Sequence, residues 1–263
     1  MARSATTPEE EEALRVFMQS MSDRENTPPT ELDWELAMYL TRGALGGKAV
    51  KHPLVFEIFY SASNWENQRL NARLVLLKAR AAKYLERGSY EGYVYTHEAP
   101  YRLQVLAEIA HRMTPQHYYR LLGYVFTEVE NVSQYPNDYL RILFNQMHDT
   151  AYRPLVMHNK QERETLAFLP ETLTVYRGYN GSERGSRRRG WSWTLSLRVA
   201  WFFARRLSRE SSPARVIIAQ VPKNKVIAYY GGRSEQEIIV DPKFVGRAKD
   251  APEIPPNSET GSF

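Results

Sequence analysis

No cysteine occurs in the 263 residues, which excludes a disulfide framework and every thiolate metal site. No apolar run is long enough to cross a bilayer, so no membrane partner is expected. The six histidines are scattered, and His111 and His117 stand six apart, which is not a ligand spacing on one helix face. A metal site is therefore not expected. The opening "MARSATTPEEEEALRVF" turns acidic where the apolar part of a secretion signal would begin, so the reading is a cytoplasmic protein. Internal repeats of fixed period are also missing.

What remains is a globular composition, 43% hydrophobic and 25% charged, with a formal charge of +5 and a pI near 9.3. That balance favours a polyanionic partner only if the charge is concentrated somewhere. The first two-thirds reads as helical. Thr7 caps a helix with Pro8 at its first position and acids in its first turn. "ELDWELAMYLTRGAL", "HPLVFEIFYSA" and "WENQRLNARLVLLKARAAKYLERG" repeat apolar residues at three-to-four spacing, the last closed by Gly88. Within "RGALGGKAV" the glycines suggest a phosphate-binding loop. Its spacing is one residue short and Ala49 replaces the Ser or Thr that would hold Mg²⁺, so a turn between helices is expected instead. Arg69, Arg73, Lys78, Arg80, Lys83 and Arg87 read as a solvated helix face.

The pattern changes near Pro170. "ETLTVYRGY" and "WSWTLS" read as strands, "LRVAWFFARRLSRE" as a helix, then "ARVIIAQVP", "KVIAYY" and "EQEIIVDP" as three short strands. The expected architecture is α+β: a helical region over 8–150, a strand-rich domain over 151–248, and a disordered Pro-rich tail over 249–263.

Within the strand-rich domain, Glu235 and Glu237 run straight into Ile238, Ile239 and Val240. Buried strands avoid unpaired carboxylates, so these acids need either a ligand or an edge to protect. Two further features precede them: Arg177-Gly178 at the end of a strand, and Ser192-Trp193-Thr194 leading into "VAWFFA" with Phe202 and Phe203. Each is weak alone. Their order resembles the Arg–Ser–Glu class of mono-ADP-ribosyltransferases, the cholera-toxin-like and clostridial-toxin-like enzymes. In that family an Arg strand, a Ser-Thr-Ser strand with an "A-x-x-F-A" helix, and a loop ending in Glu-x-Glu follow one another. The likeness covers roughly residues 171–245, and Trp193 departs from the usual Thr.

The resemblance implies a split β-sandwich that binds NAD⁺ as substrate and uses no metal. Glu237 would stabilise the oxocarbenium-like ribose as nicotinamide leaves, and Glu235 would orient or deprotonate the acceptor. Arg177 would clamp the pyrophosphate, and Gly178 would admit the nicotinamide amide. Ser192 would brace Glu237, with Thr194 on the same face, and Phe202 or Phe203 would cover the nicotinamide ring. Tyr229 and Tyr230 are candidates for acceptor contact. Glu-x-Glu goes with protein-arginine acceptors in the family. Local charge points elsewhere: ten arginines against two acids lie between Arg177 and Arg215, with Arg187, Arg188 and Arg189 in one loop. A cationic rim attracts phosphate backbones, so a nucleic-acid base is the preferred acceptor, with Tyr229 or Tyr230 stacking on it. Protein arginine, water (an NAD⁺ glycohydrolase) and a non-enzymatic nucleic-acid-binding module are the alternatives. An enzyme that modifies its own cell fits a toxin–antitoxin or phage-defence role, with an antitoxin protein as partner.

Overall fold

A computed structural model of the chain describes residues 7–22, 24, 27–43, 46–129, 132, 135–147, 150–157, 159–180, 190–206, 208, 213–232 and 235–253. Residues 1–112 and 113–263 form two compact units. Both mix helices with antiparallel sheet, so the fold is α+β. Among the described residues no helix is long and apolar enough to cross a membrane.

The first unit begins with α1 (Pro8–Ser22) and the single-turn α2 (Trp34–Ala37). Three strands follow, β1 (Leu40–Arg42), β2 (Lys48–Lys51) and β3 (Phe56–Tyr60). The unit closes with α3 (Asn64–Glu86), α4 (Tyr90–Thr96) and α5 (Arg102–Ile109). Thr7 caps α1 as its sequence suggests: its hydroxyl accepts the Glu10 N–H at 3.2 Å while Glu10 reaches back to the Thr7 N–H at 2.8 Å. The long α3 ends where Gly88 takes a φ of +67°, a conformation that strains any residue with a Cβ.

The sheet in this unit corrects the helical reading of residues 8–150. Residues 40–42 and 56–60 are strands, and "RGALGGKAV" turns between strands β1 and β2 rather than between helices. A short apolar run fits either period, and here Ile58 and the aromatic Phe56, Phe59 and Tyr60 favour the pleated form. The cations of α3 are not merely solvated. Arg69 pairs with Glu57 at 2.6 Å, Arg73 with Glu98 at 3.2 Å, Lys78 with Glu35 at 2.7 Å and Lys83 with Glu10 at 2.5 Å. These pairs tie α3 to the elements around a core of Leu36, Val50, Val55, Leu70 and Leu74.

The second unit contains α6 (Pro115–Thr127), α7 (Asn137–Asn145), α8 (Lys160–Phe168), β4 (Thr172–Asn180), β5 (Ser192–Thr194) and α9 (Leu197–Arg206). It continues with β6 (Ala214–Pro222), β7 (Val226–Tyr230), β8 (Glu237–Val240) and β9 (Lys249–Asp250). Helices α6 and α7, grouped with the helical half by sequence, belong to this unit. Its six strands pair antiparallel in the order β7-β8-β5-β4-β6-β9. Helix α9 lies on β4 and β6, burying Ala200, Trp201 and Ala204 with Val216. Elsewhere in the unit, Phe144 of α7 stacks on Trp191 at 5.6 Å, and the Trp191 indole donates to Asn137 at 2.9 Å. Of the tail expected to be disordered over 249–263, residues 249–253 are ordered against the sheet and 254–263 lie outside the described residues. Lys249 and Asp250 pair with Ile218 and Ile217, and Pro252 accepts a hydrogen bond from the Trp201 indole at 3.0 Å. Sequence polarity hid this strand because Lys249 and Asp250 carry no apolar alternation.

Asp241, immediately after β8, is buried and held by Arg141 of α7 through Nε at 2.7 Å and Nη2 at 3.0 Å. Burial pushes its carboxyl up. The Arg141 hydrogen bonds, the Lys243 N–H and both positive charges outweigh that and hold it below the usual carboxylate range. Arg141→Met is therefore expected to destabilise the second unit by about 1–3 kcal/mol at neutral pH. The folded pKa lies below the unfolded value of about 3.9, so the contribution is complete above that value and is lost as pH falls through the folded pKa. Urea midpoints of wild type and variant should differ at pH 7 and converge towards pH 3. A gap that persists in acid would assign the loss to packing instead.

Candidate functional site

The strands carrying Arg177, Ser192 and Glu237 are consecutive neighbours, β4, β5 and β8. Register sets Thr194 opposite Glu237 and Ser192 opposite Ile239, so Ser192, Thr194 and Glu237 share one face. The opposite face is filled by Trp193 and Ile238, both nearly inaccessible. The departure at Trp193 thus falls on a core position, where its indole donates to the Gly190 carbonyl at 2.8 Å.

Two hydrogen bonds join the three residues. The Ser192 hydroxyl donates to Glu237 Oε1, and Arg177 Nη1 donates to the Ser192 carbonyl at 2.8 Å. Arg177 therefore reaches Ser192 through its main chain rather than its hydroxyl. Gly190 makes room for the guanidinium, because a Cβ there would stand 2.6 Å from Arg177 Cζ. The half-buried Glu237 sits at the start of β8, the only position of that strand not fully buried. A carboxylate at such a place keeps one side towards solvent while a hydroxyl fixes its orientation.

Glu235 does not follow from strand alternation. β8 begins only at Glu237, and Gln236 adopts a φ of +47°, which breaks the extended geometry between the two acids. What fixes this segment is the main chain: Thr194 Oγ1 donates to the Glu235 carbonyl at 2.6 Å, and the Leu195 N–H donates to the Gln236 carbonyl at 3.1 Å. Thr194 thus holds the loop that carries the acids, a different task from contact with NAD⁺.

Gly178 also has a different task. A Cβ there would run into the Ala200 carbonyl and stand 2.7 Å from the Ala204 nitrogen, so the missing side chain admits helix α9, not a nicotinamide. Phe202 and Phe203 form an edge-to-face pair at 5.5 Å, with Phe202 48% exposed.

Tyr229 and Tyr230 are corrected most firmly. They are 7% and 4% exposed, and the Tyr230 hydroxyl donates to the Val156 carbonyl at 3.1 Å. Neither ring offers a face to an acceptor base. The tyrosine pair at the end of an apolar strand reads equally as core or platform, and burial decides for core. Arg187, Arg188 and Arg189 lie outside the described residues.

One acid escaped the sequence reading. Glu162 of α8 is 5% exposed, and its Oε1 accepts the Gly231 N–H at 3.1 Å. Burial raises the Tyr230 phenol well above its ordinary value, and the charges of Glu237 and Glu162 raise it further. Asn159 caps α8 and accepts the Glu162 N–H at 2.8 Å, so the acid occupies the third helical position of an ordinary-looking cap. That spacing was the available signal, and it points to a helix end rather than to a site.

A cavity of ≈ 280 Å³ belongs to the first unit, lined by residues that include Glu35, Tyr39, His52, His97, Tyr101 and Glu108. His52 accepts the Leu54 N–H through Nδ1 at 3.1 Å, which leaves Nε2 to donate to Glu35 at 3.3 Å. Burial lowers the pKa of both His52 and His97, keeping them neutral near pH 7. Among the described residues no group of three or more His, Asp or Glu is placed to hold a metal ion. No known protein family, curated protein or solved structure matches the chain.

Proposed function

We propose that the chain is an NAD⁺-dependent mono-ADP-ribosyltransferase whose second unit is a split β-sandwich of the Arg–Ser–Glu class. The observation that carries this reading is the hydrogen-bonded series Arg177–Ser192–Glu237 across three neighbouring strands. Residues up to 60 apart in the sequence stand on three adjacent strands, where Ser192 and Glu237 share a face and Tyr176, the neighbour of Arg177, stands opposite Thr194. In the proposed step the bond from ribose C1″ to the nicotinamide nitrogen breaks, and neutral nicotinamide leaves with the electron pair. Glu237 stabilises the cationic ribose, as a preorganised carboxylate does for developing positive charge. An acceptor lone pair then bonds to C1″, and its proton passes to Glu235. Arg177 is assigned the pyrophosphate because a planar guanidinium matches paired phosphate oxygens.

The acceptor is proposed to be a nucleic-acid base on the strength of charge. Arg198, Arg205, Arg206 and Arg215 belong to or flank α9 and β6, and the sequence adds six more arginines between Arg177 and Arg215. With Tyr229 and Tyr230 buried, this reading rests on phosphate attraction rather than on stacking. The Glu235-Gln236-Glu237 order supports protein arginine as the second reading. A role as a toxin held by an antitoxin follows from either acceptor.

Incubating the full chain with NAD⁺ labelled in the adenylate, together with RNA, DNA and protein, tests the reading. Release of nicotinamide with label entering the RNA or DNA fraction is the expected result. Label in protein would replace the acceptor while keeping the enzyme class, and nicotinamide release with free ADP-ribose alone would indicate a glycohydrolase. Intact NAD⁺ throughout would sink the proposal.

A further inference from the structure

Glu162 is a buried acid that the proposed chemistry leaves unused. Carboxylates are almost never fully buried without a reason, because removing the charge from water is costly. Its position in the fold supplies one. Helix α8 is fixed at its start by Asn159, so Glu162 is presented from a rigid element. Its Oε1 accepts the N–H of Gly231, the first residue after β7. From Gly231 the chain runs directly to Glu235 and Glu237. The far end of that segment is anchored by the β8 ladder and by Thr194. The near end is anchored by Glu162. Tyr230, immediately before the near anchor, is locked by its bond to Val156 and lies within range of the charges of both Glu162 and Glu237.

We infer that Glu162 is a positioning residue: its carboxylate pins Gly231 and so helps to place Glu235 relative to Glu237. This role rests on the reading of residues 235 and 237 as the catalytic acids. Glu237 itself is held by its ladders to Thr194 and Tyr230 and by its bond to Ser192. Loss of the Glu162 anchor should therefore disturb the acceptor side of the site more than NAD⁺ cleavage. A displacement of about 1 Å in a reacting group costs on the order of 100-fold in rate.

Two variants of the full chain, Glu162→Ala and Glu162→Gln, provide the test. In hydrogen exchange, Glu162→Ala should raise exchange at least tenfold in peptides spanning 229–237, with peptides from β4 and β6 unchanged. Glu162→Gln keeps an oxygen for the Gly231 N–H and should restore wild-type protection. With labelled NAD⁺ and the RNA, DNA and protein mixture, Glu162→Ala should lower kcat for transfer tenfold or more. Its KM for NAD⁺ and its acceptor-free hydrolysis should stay within about threefold of wild type. Unchanged exchange in the Ala variant overturns the inference whatever the activity. Equal loss of transfer and hydrolysis in both variants also overturns it, showing that the charge serves NAD⁺ cleavage. A wild-type chain that leaves NAD⁺ intact while the exchange pattern holds would reject the enzymatic reading and keep only the anchor.

Discussion

Glu237→Gln should lower NAD⁺ cleavage by about 10²–10³ while leaving the fold intact. Glutamine keeps the length and an oxygen to accept the Ser192 hydroxyl, so only the negative charge is removed. Glu237 is half-buried at the mouth of β8, whereas Ile238, Ile239 and Val240 supply that strand's buried contacts. Urea midpoints within about 0.5 kcal/mol of wild type would accord with such a surface-side change. Nicotinamide release at the wild-type rate would remove Glu237 from the chemistry.

Gly178→Ala should strongly destabilise the second unit. The new methyl would meet the Ala200 carbonyl and the Ala204 nitrogen, both main-chain atoms of α9 that cannot rotate away. Helix α9 would have to lift from β4 and β6, exposing Ala200, Trp201 and Ala204. Overpacking of this kind costs about 1–3 kcal/mol or more, and a backbone clash belongs at the upper end. Gly232→Ala is the matched control, because a Cβ there meets nothing within 4 Å. Urea denaturation should separate the two variants clearly. A Gly178→Ala chain as stable as the control would show that α9 is not seated as described.

Strands β4 to β8 and helix α9 were legible because their signals are local and agree with one another. "TVYRGY", "ARVIIAQV" and "EIIV" are β-branched runs with clear breakers; Glu237 opens β8, whereas β4 continues to Asn180, so Arg177 lies within its strand and not at its end. The sheet of the first unit was not legible. Leu54, Val55, Ile58 and Phe59 satisfy a helical spacing, yet only Phe56–Tyr60 form a strand, and pairing with β2 decides it. At the site, residue types pointed correctly to Ser192 and Glu237 as partners but misjudged several roles. Gly178 and the two tyrosines answer to packing, which depends on α9 and on Val156, far away in sequence. Glu162 stayed hidden because its partner is a main-chain N–H sixty-nine residues away, and a main-chain donor leaves no mark in the residue pattern.

The strand order has a consequence for how the protein comes into being. Strand β5 finds its second neighbour, β8, only after α9, β6 and β7 have been threaded between them in the chain, 45 residues on from Ser192 to Glu237. Closing loops of that length is slow compared with forming local helices, because the ordering entropy is lost before the contacts form. During synthesis, then, a chain that has emerged as far as β6 holds Arg177 and Ser192 but not their acid. The Arg177–Ser192–Glu237 series can form only once the chain has emerged past Glu237, so any chemistry that depends on it is silent in every shorter nascent chain.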